Sequence, residues 1–99
     1  MGVGDVPAGG PRSSQEVSTI VVAAYFGRVS RLFVQRDVEV WGRFDPDTLE
    51  VRVHDRKEKG DVDLLDWGAV RTLSTDGVVH SLPGDRIPGR GPMAALFRF

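Results

Sequence analysis

The sequence predicts a mainly β fold: a small single-domain antiparallel sheet or partly open barrel with at most one short helix. Three observations predict it. Two period-2 runs flank a proline-containing turn, a β-branched apolar run precedes Gly27, and a closing run places Ala95, Phe97 and Phe99 on one face.

Residues 1–16 are expected to form a flexible N-terminal arm, with one β-rich domain over residues 17–99. Met1 to Gly10 holds five glycines and prolines, Pro11-Arg12-Ser13-Ser14 follows, and almost nothing in this stretch can be buried. Order is expected from about Ser18. Thr19 to Phe26 is rich in β-branched and aromatic residues and reads as a strand covered on both faces; its alanines leave a short helix as the alternative. Val29 to Val34 continues in extended or mixed form.

The hairpin is the clearest local signal. Val38, Val40 and Phe44 alternate with Asp37, Glu39 and Arg43. After Asp45-Pro46-Asp47-Thr48, the residues Leu49, Val51 and Val53 alternate with Glu50, Arg52 and His54. Proline pre-sets the φ of a type I turn, and aspartate accepts a local backbone hydrogen bond. Asp55 to Asp61 is a charged turn. The stretch from Asp61 to Leu73 is ambiguous: Val62, Leu65, Ala69 and Leu73 fall at helical spacing, yet Val62 to Leu65 also reads as a strand followed by one or two helical turns from Asp66. Asp76-Gly77 marks a turn and Val78 to Leu82 a short strand. Pro83 to Pro92, with three glycines and three prolines, is a loop, and Met93 to Phe99 is a terminal strand that completes this sheet or joins a partner's.

Composition narrows the function classes. Thirteen basic and fourteen acidic side chains leave a net charge of −1, which argues against a binder that works only by releasing many counterions. The distribution is uneven: Gln35 to Asp66 holds six basic and ten acidic residues. The chain has no cysteine, which excludes disulfide scaffolds, thiolate metal sites and cysteine nucleophiles and fits a cytoplasmic setting. Ile20 to Phe26 is far short of the roughly 20 apolar residues a membrane span needs, so no membrane role is expected.

No catalytic constellation emerges, and neither an enzyme nor a cofactor or metal site is expected. Leu64-Leu65-Asp66-Trp67-Gly68-Ala69 looks like the retroviral-type aspartic-protease signature. Tryptophan stands where that signature has a hydroxyl, and only 31 residues follow Gly68. His54-Asp55 and His80 are the histidine positions; a metal or general-base site would need carboxylates such as Asp61 or Asp63, and no spacing pairs them. Gly84-Asp85-Arg86-Ile87-Pro88-Gly89-Arg90-Gly91 has the glycines of a phosphate loop without its lysine, hydroxyl or following helix.

The candidate sites are therefore binding surfaces. Trp41 faces outward if Val38, Val40 and Phe44 face inward, which places a large ring at a partner-binding surface with Glu39 and Arg43; a bulge at Gly42 would instead return it to the core. Phe97 and Phe99 of the closing strand complete this partner-binding set. The alternative is a nucleic-acid-binding module whose Arg28, Arg31, Arg36, Arg86 and Arg90 contact phosphates.

Val38-Glu39-Val40, a short connection, Val51-Arg52-Val53-His54-Asp55-Arg56-Lys57, Gly60 and Trp67 follow one another in an order that resembles the small streptomycete developmental regulators of the BldB type. The resemblance covers about thirty residues of the chain. It implies a non-enzymatic regulator of transcription in development, homo-oligomeric, most simply a dimer, acting with a helix-turn-helix partner.

Overall fold

The computed structural model describes residues 12–98. In chain order these form β1 (Ser13–Ser14), α1 (Val17–Tyr25), β2 (Val29–Gln35), β3 (Trp41–Asp45), β4 (Glu50–His54), β5 (Val62–Asp63), α2 (Leu64–Ser74), β6 (Val78–Leu82) and β7 (Met93–Phe97). The strands make two sheets, one ordered β1-β7-β2-β6 and one ordered β4-β3-β5. The fold is β-rich as expected. It also holds two helices rather than at most one, and neither sheet closes into a barrel.

The largest correction is α1, where a strand was expected. Its β-branched residues carry a helical period: Val17, Ile20, Val21 and Ala24 recur at the i, i+3, i+4, i+7 spacing, and the last three are buried with Ala23. Packing against the four-stranded sheet outweighs the small propensity penalty of valine and isoleucine in a helix. The Glu16 carboxylate accepts hydrogen bonds from the Thr19 and Ser18 hydroxyls at 2.7 and 3.3 Å. Gly27 ends the helix at φ +70°, with Gly27 N–H bonded to Ala24 O and Arg28 N–H to Ala23 O. That pair of bonds is a Schellman motif, which favours glycine because a Cβ is disfavoured at positive φ.

Of the two readings left open for Asp61 to Leu73, the strand followed by a helix holds, with the helix beginning at Leu64 and running eleven residues. Asp63 is its N-cap: Oδ1 accepts from Leu65 N–H at 3.1 Å and from Val40 N–H at 3.0 Å, tying the helix start to the chain entering β3. Asp76 closes it at φ +67° with a second Schellman pair, Asp76 N–H to Leu73 O and Gly77 N–H to Thr72 O.

β2 and β6 pair in parallel, Arg31 opposite Val78 through Gln35 opposite Leu82, so the sheet is mixed rather than purely antiparallel. β7 lies antiparallel between β1 and β2, completing the chain's own sheet. Ser13–Ser14 belongs to the segment expected to be an arm, yet it pairs with Leu96 and Ala95. The expectation for residues 1–11 lies outside the described residues. A register shift between Val29 and Arg31 lets Val29 and Leu32 both face inward. The core joins Ile20, Ala23 and Ala24 of α1, Leu65 of α2, Val29 and Leu32 of β2, and Met93, Ala95 and Phe97 of β7. Each large aliphatic side chain sealed there contributes about 1.5–3 kcal/mol.

The expected hairpin forms as the shorter β3 and β4 with Asp45 opposite Glu50; Val38 and Val40 lie in the connection before β3, Leu49 in the turn, and Val53 is exposed at the end of the ribbon. Asp45 Oδ1 accepts Asp47 N–H at 2.9 Å, and Leu49 takes a left-handed φ of +62° to close the turn on Asp45 O. Gly42 and Phe44 face the helices, while Trp41 and Arg43 face away. Among the described residues no helix is long and apolar enough to cross a membrane.

Candidate functional site

The outer face of the hairpin carries the densest polar network. Trp41 lies directly opposite His54 on one side and Asp63 on the other, two residues from Arg43. The turn after β4 folds back and brings Asp61 beneath them, its side chain fully sealed from solvent. Asp61 Oδ2 accepts from His54 Nδ1 at 2.7 Å and from Glu58 N–H at 3.0 Å; Oδ1 accepts from Arg43 Nε at 3.0 Å. Arg43 also donates to the Lys59 carbonyl. The sequence offered His54 and Asp61 with no spacing to pair them; the structure does pair them, through the Arg56–Gly60 turn, which has no periodicity.

The arrangement works as a clamp on the turn. Burial pushes the Asp61 carboxyl up, but hydrogen bonds from His54, the Glu58 amide and Arg43, with the His54 charge, outweigh it and hold the group at about 2 instead of 3.8. A carboxyl depressed in the folded state stabilises fully above its unfolded value, and that contribution is lost as pH falls from 3.8 toward about 2. Asp61→Asn is therefore expected to be less stable than the parent at pH 7 and to show a flatter loss of stability across that acid window. Urea denaturation at several pH values checks this; equal slopes for the two proteins would contradict it. Among the described residues no group of three His, Asp or Glu side chains could hold a metal ion.

The expected partner-binding residues do not form one surface. Trp41 does face away from the core, without a bulge returning it, but it is half-buried and the Lys57 ammonium lies 5.0 Å from its ring centroid. Its indole is therefore already covered in part by its own chain. Arg43 is engaged by Asp61 and Lys59. Glu39 is exposed in the connection before β3. Phe97 is only 8% exposed and belongs to the core, with the Arg28 guanidinium 5.8 Å from its ring centroid. Phe99 lies outside the described residues. Of the arginines proposed to meet phosphate, Arg31 stands exposed on β2, Arg36 follows it, and Arg86 and Arg90 are exposed in two 3₁₀ turns, Gly84–Arg86 and Pro88–Arg90.

The more open apolar surface lies on α2. Its buried face is Leu64, Leu65, Gly68 and Thr72, which leaves Val70 at 57% and Leu73 at 59% exposure on the other side. Trp67 is half-buried one turn before Val70, tilted against Phe44 at 5.4 Å and under the Arg71 guanidinium at 5.8 Å. Val62 extends the stripe onto β5, and a shallow open groove of about 300 Å³ runs between Val62, Trp67 and Val70, edged by Asp63, Asp66 and Arg71. Val53, 52% exposed, sits across Gly42 from Val62 on the same side of the sheet. The helical set read from the sequence included Val62 and Leu73; Val62 lies in β5 before the helix begins, and Leu73 stands off the buried Leu64, Leu65, Gly68 and Thr72 face. Val70 was the available signal, an aliphatic residue one turn beyond a tryptophan.

No family model matches the chain, and no curated protein matches it.

Proposed function

We propose that this chain is a non-enzymatic interaction module that pairs with a second copy of itself through the outer face of α2. The observation that carries the reading is the stripe Val62, Val70 and Leu73, exposed around the half-buried Trp67. The stripe is self-complementary. Trp67 and Leu73 stand three residues to either side of Val70, so two antiparallel copies of α2 crossing at Val70 set each tryptophan against the other copy's leucine. An isologous two-fold contact needs such a pattern. The edges carry Asp63, Asp66 and Arg71, giving a polar rim around an apolar centre. The BldB-type resemblance supplies the setting for the proposal: a dimeric cytoplasmic regulator of transcription in development, acting with a helix-turn-helix partner.

Light scattering tests the pairing. The parent chain should have a mass near twice 10.9 kDa at tens of micromolar, and Val70→Asp should return it to about 10.9 kDa. Val70 is exposed in the single chain, so the substitution leaves folding nearly unchanged; in the pair it buries two like charges, weakening association about a hundredfold or more. A parent that is monomeric at that concentration, or a Val70→Asp variant that still pairs, would overturn the proposal.

A further inference from the structure

The two sheets carry opposite charge. Residues 12–36 and 78–98, which supply all strands of the four-stranded sheet, hold seven arginines against two carboxylates, Glu16 and Asp85. Residues 37–76, which supply the three-stranded sheet and α2, hold six basic and eleven acidic side chains. A net charge of −1 conceals this separation, and the chain order hides it too, because the two basic segments meet only in the folded sheet.

The helices cover one face of that basic sheet. The other face presents Arg31 and Phe33 of β2, Val78 and His80 of β6, and Leu96 of β7, by the alternation that turns Leu32, Val79 and Ala95 inward. Phe33 and His80 stack 5.1 Å apart at an interplanar angle of 15°. Arg31 Nη1 donates to His80 Nε2 at 3.1 Å, since a guanidinium has no acceptor. The result is a half-buried pair of rings, each covering one face of the other, with a cation bound to its edge. Val78 and Leu96 beside it are 45% and 43% exposed. Arg36 continues past the end of β2, and the Pro88–Arg90 turn packs on β7, with exposed Arg86 and Arg90 flanking a sealed Ile87.

We infer that this face is a binding site for a single-stranded nucleic acid. Bases have apolar planes that stack on exposed aromatic rings, and phosphates need cations spaced along the strand. The outer ring surface and Arg31 supply both on this face, Arg36, Arg86 and Arg90 add cations to the same half of the molecule, and the acidic half repels the same ligand from elsewhere. A duplex keeps its bases stacked internally and offers no free base plane. The site is separate from the α2 stripe, so a paired molecule would carry two such faces.

Fluorescence anisotropy with labelled twelve-residue oligothymidylate and oligouridylate at about 50 mM salt tests the inference, with a duplex of equal length and inorganic polyphosphate as competitors. Both single strands, or one of them, should bind more tightly than the duplex, and polyphosphate should compete poorly. Phe33→Ala should weaken binding about tenfold, and Arg36→Gln with Arg86→Gln should flatten the salt dependence by about one phosphate contact each. Should Phe33→Ala fail to fold, Leu96→Glu on the exposed part of the face should give a similar loss. Absence of binding overturns the inference. So does equal affinity for duplex and polyphosphate with no effect of Phe33→Ala or Leu96→Glu, and so does a salt-sensitive oligomer in which the basic face holds the acidic half of another copy.

Discussion

Gly42→Ala is expected to destabilise the chain by about 3 kcal/mol, and Gly42→Val by more, in urea denaturation. Gly42 sits in the central strand of the three-stranded sheet, paired with Val53 of β4 and Val62 of β5. A Cβ there would land on the Arg52 backbone carbonyl oxygen and within 2.8 Å of Leu64 Cδ1. A flexible side-chain tip could move aside, but the carbonyl belongs to the paired strand, so β4 itself must shift. The same shift disturbs His54 above Asp61 and Leu64 at the start of α2. A loss below about 1 kcal/mol for Gly42→Ala would mean that the strands adjust more freely than this packing allows.

Trp67→Ala is expected to have the next largest effect, about 3 kcal/mol of stability together with loss of pairing. The indole links the two sides of the molecule. It meets Phe44 of β3, and Phe44 meets Tyr25 of α1 at 5.1 Å, so one aromatic chain runs from the ribbon to both helices. Arg71 stacks over Tyr25 and Trp67 and donates to the Tyr25 carbonyl at 2.7 Å. Removing the indole opens a cavity against Phe44 and strips one aromatic face from the guanidinium. It also removes the largest apolar group of the stripe. Denaturation midpoint and light scattering read the two consequences separately; a variant with near-parent stability would place Trp67 outside the packing described.

Much of the ribbon was legible in the sequence because its signals are local. Alternation, Pro46 and the Asp45 side chain act within a few residues, and no distant partner can change the period. The first helix was misread for a physical reason: Val21, Val22 and Thr19 favour strands in isolation, whereas the burial that decides the matter comes from β2 and β7. Gly27, standing one residue beyond the apolar run, was the helix-end signal. The parallel pairing of β2 with β6 joins segments more than forty residues apart, and no turn chemistry announces it. The site followed the same division. Of the two facings the sequence left open for Trp41 the outward one holds, but the lysine over it and the Asp61 clamp arise from a turn whose path no periodicity encodes. The stripe on α2 depended on which face of the helix packs into the core with Leu32 and Met93, contacts distant in sequence, while Asp63 fixes the helix start through a bond to Val40, twenty-three residues earlier.

Because the chain has no cysteine, a single one at the proposed two-fold axis reports pairing directly. Val70→Cys should oxidise under mild conditions to a disulfide-linked dimer in high yield, while Ser81→Cys, exposed on β6 in the other sheet, should remain largely monomeric. A Val70→Cys chain that stays unlinked, or cross-links no faster than Ser81→Cys, would contradict the account.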